Sequence, residues 1–351
     1  MDSFTYCGHR ARIVFGLGSS AFLEREMQIL GAKRIMIVST PGQAARAAAV
    51  SACLGPRAVG HFARAATHVP AEIVGEARAE ATSLQADCVV AFGGGSAIGL
   101  GKAIALELDV VTLAIPTTYA GSEVTPIYGL TEHGVKRTGT DDRVLPRTVI
   151  YDPELTLEVP PAVAFASGMN AIAHAAEGLY SRDVNPITSL LAEEGIRSLA
   201  STLPVLRCHP TDVVARTEAL YGAWLCGTVL GQVGMALHHK LCHTIGGSFN
   251  LPHAEVHTAM LPQTLRYNGQ AAPRAMGTIA RAIGRSDAAG GVFDLAKENH
   301  AQMALRNLGM KASELDAAAQ LACANPYWNP RPIHLASVRE LLQRAFEGVR
   351  P

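Results

Sequence analysis

Short, uninterrupted apolar runs alternate with alanine-rich amphipathic stretches through the first 150 residues. Residues 34–38 (RIMIV), 88–92 (CVVAF) and 111–115 (VTLAI) are almost wholly apolar, which predicts strands buried on both faces. Between and around them, residues 43–54, 71–84 and 98–106 carry helical periodicity. Strands separated by helices predict a parallel sheet covered on both sides, an α/β fold. Residues 125–152 are turn-rich, with a short β-like piece at 148–151. Asp152-Pro153 and Pro160-Pro161 then punctuate a change to helical patterns at residues 162–180, 186–203, 212–230, 237–245, 272–283, 292–308 and 337–346. The expected organisation is an α/β domain over residues 1–159 and an all-α domain over residues 160–351.

Composition narrows the function. At 351 residues the chain is long enough for two cores, and 48% of it is hydrophobic. Lys plus Arg equals Asp plus Glu at 30 each, so neither a nucleic-acid footprint nor a polybasic membrane surface is present. An anionic ligand must be held locally. The seven cysteines are scattered without a Cys-x-x-Cys, which points to a reducing cytoplasm. Neither a signal-peptide core nor an apolar run of membrane-spanning length is evident.

Ligands of parallel sheets sit beyond the carboxyl ends of the strands, which directs attention to two loops. The first is Gly93-Gly94-Gly95-Ser96, followed by Gly99, Gly101 and Lys102. Residues without Cβ let backbone N–H groups approach a pyrophosphate, and the next helix presents its positive end. Ser96 can donate a hydroxyl or cap that helix. The spacing is not Gly-x-Gly-x-x-Gly, and no acidic residue stands at the expected ribose distance. The second loop, residues 116–123 (PTTYAGSE), brings Thr117, Thr118, Tyr119 and Ser122 to a strand end, suited to phosphate and ribose contacts.

The densest chemistry lies in residues 236–262, which hold five of the thirteen histidines. A helix over residues 237–245 puts His239 and His243 on one face, with Gly246-Gly247 expected to stop it and His253 delivered by the returning chain. Upstream, Asn170 and His174 share the same four-residue spacing. Two helical pairs plus a third histidine make the pattern of a metal or proton-transfer site; the bland reading makes some of them core or capping histidines.

At this point the sequence resembles a known family over nearly its whole length. The loop from Gly93 to Lys102, PTTYAGSE followed by VTPIYGLTE, VLPRTVIYDPELT, GMNAIAHAAEGLY and HHKLCHTIGG with LPHAEVH are similar, in order, to motifs of the iron-containing (group III) alcohol dehydrogenases and of their maleylacetate-reducing branch. The resemblance implies an α/β NAD(P)H-binding domain, an all-helical domain and a cleft between them, in cytoplasmic, commonly homodimeric reductases of bacterial aromatic-compound degradation. It assigns the cofactor pyrophosphate to Gly93, Gly94, Gly95 and Ser96. It assigns other cofactor contacts to Thr117, Thr118, Ser122, Lys136 and Thr40. Thr40 stands where NAD-preferring members usually carry an acid, so both NADH and NADPH are expected. The loop at residues 116–123 is one residue shorter than the family's usual PTTxxTGSE.

The family's metal positions, an Asp and three His, fall on Asn170, His174, His239 and His253, with His243 an extra histidine. An Asp would lower a divalent ion's charge to +1, whereas the neutral amide leaves +2 and is the weaker ligand. Three histidines can still hold zinc, but the metal-free chemistry of the maleylacetate-reducing branch points the same way as the charge. The substrate so implied is the dicarboxylate 2-maleylacetate, its enone C=C reduced to 3-oxoadipate. His243 and His253, with His174 and His239, would stabilise the oxygen that gains charge. Asn170 and Tyr119 would meet substrate, a partly protonated histidine cluster would attract it, and Arg331 would lie in a closing loop or in a surface ion pair. The rival expectations are a metal-dependent (Fe/Zn) alcohol dehydrogenase acting on a small aldehyde or alcohol, a lyase of the dehydroquinate synthase type, and a non-enzymatic NAD-binding scaffold.

Overall fold

The structure, a computed structural model, describes residues 3–132 and 135–351, apart from the side chains of residues 135 and 136. Two compact units result: Gly8–Val159, and Pro160–Pro351 with residues 3–7 grouped to it. In chain order the first unit runs β1 (Arg12–Phe15), α1 (Leu23–Leu30), β2 (Ile35–Val38), α2 (Ala44–Leu54), β3 (Ala58–Phe62), α3 (Ala71–Ser83), β4 (Cys88–Gly93), α4 (Gly95–Leu108), β5 (Val111–Pro116), β6 (Ile127–Glu132), β7 (Val135–Thr140) and β8 (Thr148–Tyr151).

The sheet has the order β1-β8-β5-β4-β2-β3 and every pairing in it is parallel. Its inner strands β2, β4 and β8 are buried at every position, as their unbroken apolar sequences require. The edge strands β1 and β3 are largely half-buried, so their sequences carry no such signal. From β2 the chain moves outward to β3, then returns to β4 and continues the other way through β5 and β8. The direction reverses between β2 and β4, and ligands of open α/β sheets bind at the carboxyl ends on either side of such a reversal. Residues 127–140 form a separate antiparallel hairpin of β6 and β7.

Helix α4 begins at Gly95, three residues before its expected start, and two of its glycines stand where neighbours come close. A Cβ at Gly101 would stand 3.0 Å from the Ala91 Cβ, and one at Gly99 2.7 Å from Val69 Cγ2. Close approach, not helix propensity, explains both residues.

The second unit consists of α5 (Pro161–Gly178), α6 (Pro186–Cys208), α7 (Val213–Gln232), α8 (Leu237–Phe249), α9 (His253–Asn268), α10 (Pro273–Ala282), α11 (Ala288–Glu298), α12 (Leu315–Ala324) and α13 (Leu335–Glu347). Three expectations are corrected. Helix α8 continues through Gly246-Gly247 and ends only at Asn250, whose φ of 53° takes the left-handed turn. Each glycine costs a helix about 1 kcal/mol, but Ile245 and Phe249 pack into a core with Leu241, Val256, Leu315 and Leu342, and that burial prevails. The helix expected over residues 292–308 ends at Glu298, with a separate 3-10 turn at Leu305–Leu308. Helices α9 and α12 were not anticipated.

All seven cysteines are free. Among the described residues no single helix is long and apolar enough to cross a membrane.

Helices α6 and α7 cross through a pair of glycines. A Cβ on Gly195 would meet the Gly222 carbonyl oxygen at 3.1 Å and Cys226 Sγ at 2.7 Å. Gly195→Ala should therefore destabilise the protein by about 1–3 kcal/mol in chemical denaturation despite the better helix propensity of alanine.

Candidate active site

Three helices of the second unit bring the histidines together. On α5, Asn170, His174 and Glu177 follow at i, i+4 and i+7 and share one buried face. Helix α8 supplies His238, His239 and His243, and α9 begins at His253 and adds His257 one turn on. The His174 and His239 ring centroids lie 5.1 Å apart, His239 and His257 5.0 Å, and His253 and His257 4.5 Å. His243 and His253 stack at 6.1 Å with 13° between planes. Every histidine of the sequence-derived set is thus in one cluster, His238 and His257 join it, and Asn170 stands one helical turn before His174.

The group that orders the cluster is Glu177, whose side chain is fully buried. Ala236 precedes α8 and has no side chain with which to cap it. Glu177 reaches across from α5 instead. Its Oε2 accepts from the backbone N–H of Ala236 at 2.9 Å, and Oε1 from that of His238 at 2.7 Å. The same carboxylate accepts His239 Nδ1–H at 2.6 Å. Burial by itself would raise this carboxyl's pKa, but the hydrogen bond from His239, the neighbouring imidazoles and the Ala236 amide outweigh it and hold the pKa below the ordinary value. With Nδ1 committed, His239 turns Nε2 toward the cluster, and that atom is buried with no hydrogen-bond partner among the described residues.

A second chain of bonds fixes His257 from behind. Thr264 Oγ1 donates to the Leu261 carbonyl at 2.9 Å and lies 3.1 Å from His238 Nδ1, while His238 Nε2 lies 3.0 Å from His257 Nδ1. Letting Nδ1–H of each histidine donate toward Thr264 makes three bonds; reversing the polarity forfeits the one to Leu261. The first arrangement leaves His257 Nε2 as a bare acceptor facing the cluster. Burial, reinforced by the other histidines, drives the pKa values of His174 and His257 well below the ordinary histidine value, and burial brings His238 to about 3. These three are neutral at pH 7. The expectation of positive charge spread over the cluster is corrected to that extent.

In the first unit, residues 93–96, Thr118 and Thr40 lie at the strand ends around the switch point. Gly94 precedes α4 as its N-cap and no side chain caps the helix, so the opening amides remain available to an anion. Ser96 lies within α4 rather than capping it. A Cβ on Gly94 would meet Thr118 Oγ1 at 2.9 Å, and the Thr117 N–H donates to the Gly93 carbonyl at 3.1 Å, so the two loops are in contact. The glycine cradle fits a dinucleotide's pyrophosphate. Thr40 follows β2 on the other side of the switch point, next to Ser39, whose hydroxyl is 2.9 Å from His61 Nε2.

Other positions depart from expectation. Thr117 is 1% and Tyr119 0% exposed, so neither ring nor hydroxyl is offered to a ligand, and Thr118 is the more accessible threonine. The Ser122 hydroxyl is also buried. Lys136 lies on β7 with its side chain outside the described residues. Among the described residues Arg331 forms no ion pair. It stacks 4.1 Å over the Tyr267 ring and donates to the Tyr267 carbonyl at 3.0 Å, pinning its loop to the end of α9.

The sequence pattern described as iron-containing alcohol dehydrogenase matches residues 10–153, and that of the C-terminal part of the same family matches residues 164–346. The chain belongs to the iron-containing alcohol dehydrogenase family. It is 56% identical to a maleylacetate reductase of Burkholderia cepacia over the full length of both chains. Crystal structures of maleylacetate reductases from Agrobacterium tumefaciens (54% identity) and Rhizobium sp. strain MTP-10005 (53%) superpose with a TM-score of 0.95 each, covering all of both chains.

Iron-containing alcohol dehydrogenases are named for a metal, so the donor set must be tested against one. The atoms left bare in the cluster are neutral: Asn170 Oδ1, His174 Nδ1, His239 Nε2 and His257 Nε2. Glu177 has both oxygens engaged. Ligand atoms within 4.8 Å of one another are offered by His238, Cys242 and His257. Yet His238 is committed through both nitrogens, and burial followed by the charge of Glu177 holds the Cys242 thiol well above its ordinary pKa, unsuited to coordination. Three neutral imidazole nitrogens could still hold zinc, but among these residues no carboxylate oxygen is left free to lower a divalent ion's charge.

Replacing Glu177 by Gln keeps the size and removes the charge. An amide N–H would then face an N–H of α8 or of His239. Glu177→Gln should lower stability by about 2–4 kcal/mol and turnover by about 10- to 100-fold, read by denaturation and steady-state kinetics on the same preparation.

Proposed function

We propose that this NAD(P)H-dependent oxidoreductase reduces the enone C=C of 2-maleylacetate to 3-oxoadipate, in bacterial degradation of aromatic compounds, and does so without a catalytic metal. The observation that carries the reading is 56% identity over the whole length of a maleylacetate reductase. Its metal-free part rests on Asn170, the neutral amide among neutral imidazoles.

When bound, the reduced nicotinamide supplies hydride to the alkene carbon β to the ketone. Residues 93–96 and the amides opening α4 hold the pyrophosphate, and Thr118 stands beside them. No carboxylate follows β2 to repel a 2′-phosphate, so both NADH and NADPH serve. The ketone oxygen gains negative charge, and a hydrogen-bond donor must meet it. His243 and His253 are partly exposed, unlike the four fully enclosed histidines, and can be reprotonated from solvent after each turnover. They supply the proton that ends on the carbon α to the ketone as the enolate returns to the ketone of 3-oxoadipate; His174, His239 and His257 set their surroundings. Asn170 donates through its amide to a substrate carboxylate once its side chain is turned by half a rotation. The free cysteines agree with a cytoplasmic enzyme, which we read as a homodimer.

One observation favours the alternative of a metal-dependent alcohol dehydrogenase: a carboxylate behind His239 is the arrangement that orients metal-bound histidines. Substrate separates the readings. Purified protein should oxidise NADH with maleylacetate and yield 3-oxoadipate by mass spectrometry; turnover of small aldehydes with none of maleylacetate would reverse the assignment. Asn170→Asp places a carboxylate against a dianion. It should raise the KM for maleylacetate about tenfold or more and strengthen zinc binding in a calorimetric titration; an unchanged KM would remove Asn170 from the substrate site.

A further inference from the structure

One buried charge takes no part in this chemistry. Lys102 lies on α4 and is 1% exposed. Its ammonium donates to the carbonyl oxygens of Ser122 at 2.6 Å, Thr125 at 2.7 Å and Ile127 at 2.8 Å, and to Thr125 Oγ1 at 2.9 Å. Thr125 Oγ1 itself donates to the Ser122 carbonyl at 3.0 Å. The acceptors run from the end of the hydroxyl loop, at Ser122, into the residues that follow it, at Thr125 and Ile127. The opposite charge is Glu123 in the same segment, fully buried, with Oε1 accepting from the Tyr151 hydroxyl of β8 at 2.8 Å. Burial pulls the Lys102 ammonium down to about 7 and pushes the Glu123 carboxyl up, each opposed by the other's charge.

We propose that Lys102 is a positioning residue for the nicotinamide cofactor: it clamps the far end of the hydroxyl loop onto the helix that carries the glycine cradle. The near end is already held by the Thr117 N–H on the Gly93 carbonyl, and the Gly94–Thr118 contact lies between the two attachments. Helix α4 therefore presents the pyrophosphate amides at its start and fixes the opposing hydroxyls two turns further on. A buried cation has a reason to sit here. Three carbonyl oxygens of one irregular segment need a common donor, and a single ammonium supplies it. The segment's own carboxylate offsets the charge.

The test compares Lys102→Met, Lys102→Met/Glu123→Gln and Thr125→Val with the unaltered protein, measuring the NADH dissociation constant by fluorescence and the thermal midpoint. No substrate is present, so the outcome is independent of the maleylacetate reading. Lys102→Met should weaken NADH binding about tenfold or more, the worth of a buried ionic hydrogen bond, and lower the midpoint. The double variant, with no uncompensated charge, should recover much of the midpoint and none of the affinity. Thr125→Val, which alters no charge, should weaken NADH binding several-fold with little change in midpoint. If the double variant regains both stability and affinity, or if Thr125→Val binds NADH normally, Lys102 only balances charge and the proposal fails.

Discussion

A carboxylate in the core of the helical unit carries three obligations at once. Glu177 caps a helix that has no cap of its own, fixes which nitrogen of His239 faces the cluster, and supplies a buried negative charge. Taking such a group out of water costs several kcal/mol unless every lone pair is used, and here the α8 amides and an imidazole use them. The same bonds that make the burial tolerable join α5 to the start of α8. The orientation of His239 and the stability of the start of α8 therefore have one cause.

The cluster is built in two layers. Behind, His238 and His257 are neutral, linked to each other and to Thr264, and closed off by the core that α8 and α9 share with α12 and α13. In front, His243 and His253 remain open enough to exchange protons. This division suits a reaction in which charge appears on a substrate oxygen and must be met by a proton drawn from solvent. In the metal-free chemistry proposed above, the neutral Asn170 supplies no anion to hold an ion there. In the cofactor site proposed for the α/β unit a parallel division holds: glycines and helix amides would meet the anion, while Lys102 and Glu123 shape the loop opposite without reaching the ligand surface.

Legibility followed burial. The strands at residues 35–38, 88–93, 111–116 and 148–151 were readable because each of them is almost wholly enclosed and so almost wholly apolar. Strand β3 was not, since half-exposed Gly60 and His61 interrupt its apolar pattern. The stop expected at Gly246-Gly247 failed because tertiary packing of Ile245 and Phe249 outweighs glycine's preference. In the site, spacing found Asn170, His174, His239, His243 and His253 but passed over Glu177 and His257. Both carried a signal of the same kind: Glu177 completes the i, i+4, i+7 face begun by Asn170, and His257 stands one turn after His253. His238 gave none, because adjacency to His239 puts it on a different face. Tyr119 looked like a ligand contact only because its loop did.

The central proposal is that imidazoles of the histidine cluster, without an ion, meet the charge formed on the substrate. The direct measurement is metal content by mass spectrometry on freshly purified protein, alongside turnover before and after exhaustive chelation. The account predicts turnover undiminished by the chelator with far less than one iron or zinc per chain. Stoichiometric iron or zinc, whose removal abolishes turnover and whose return restores it, would contradict it.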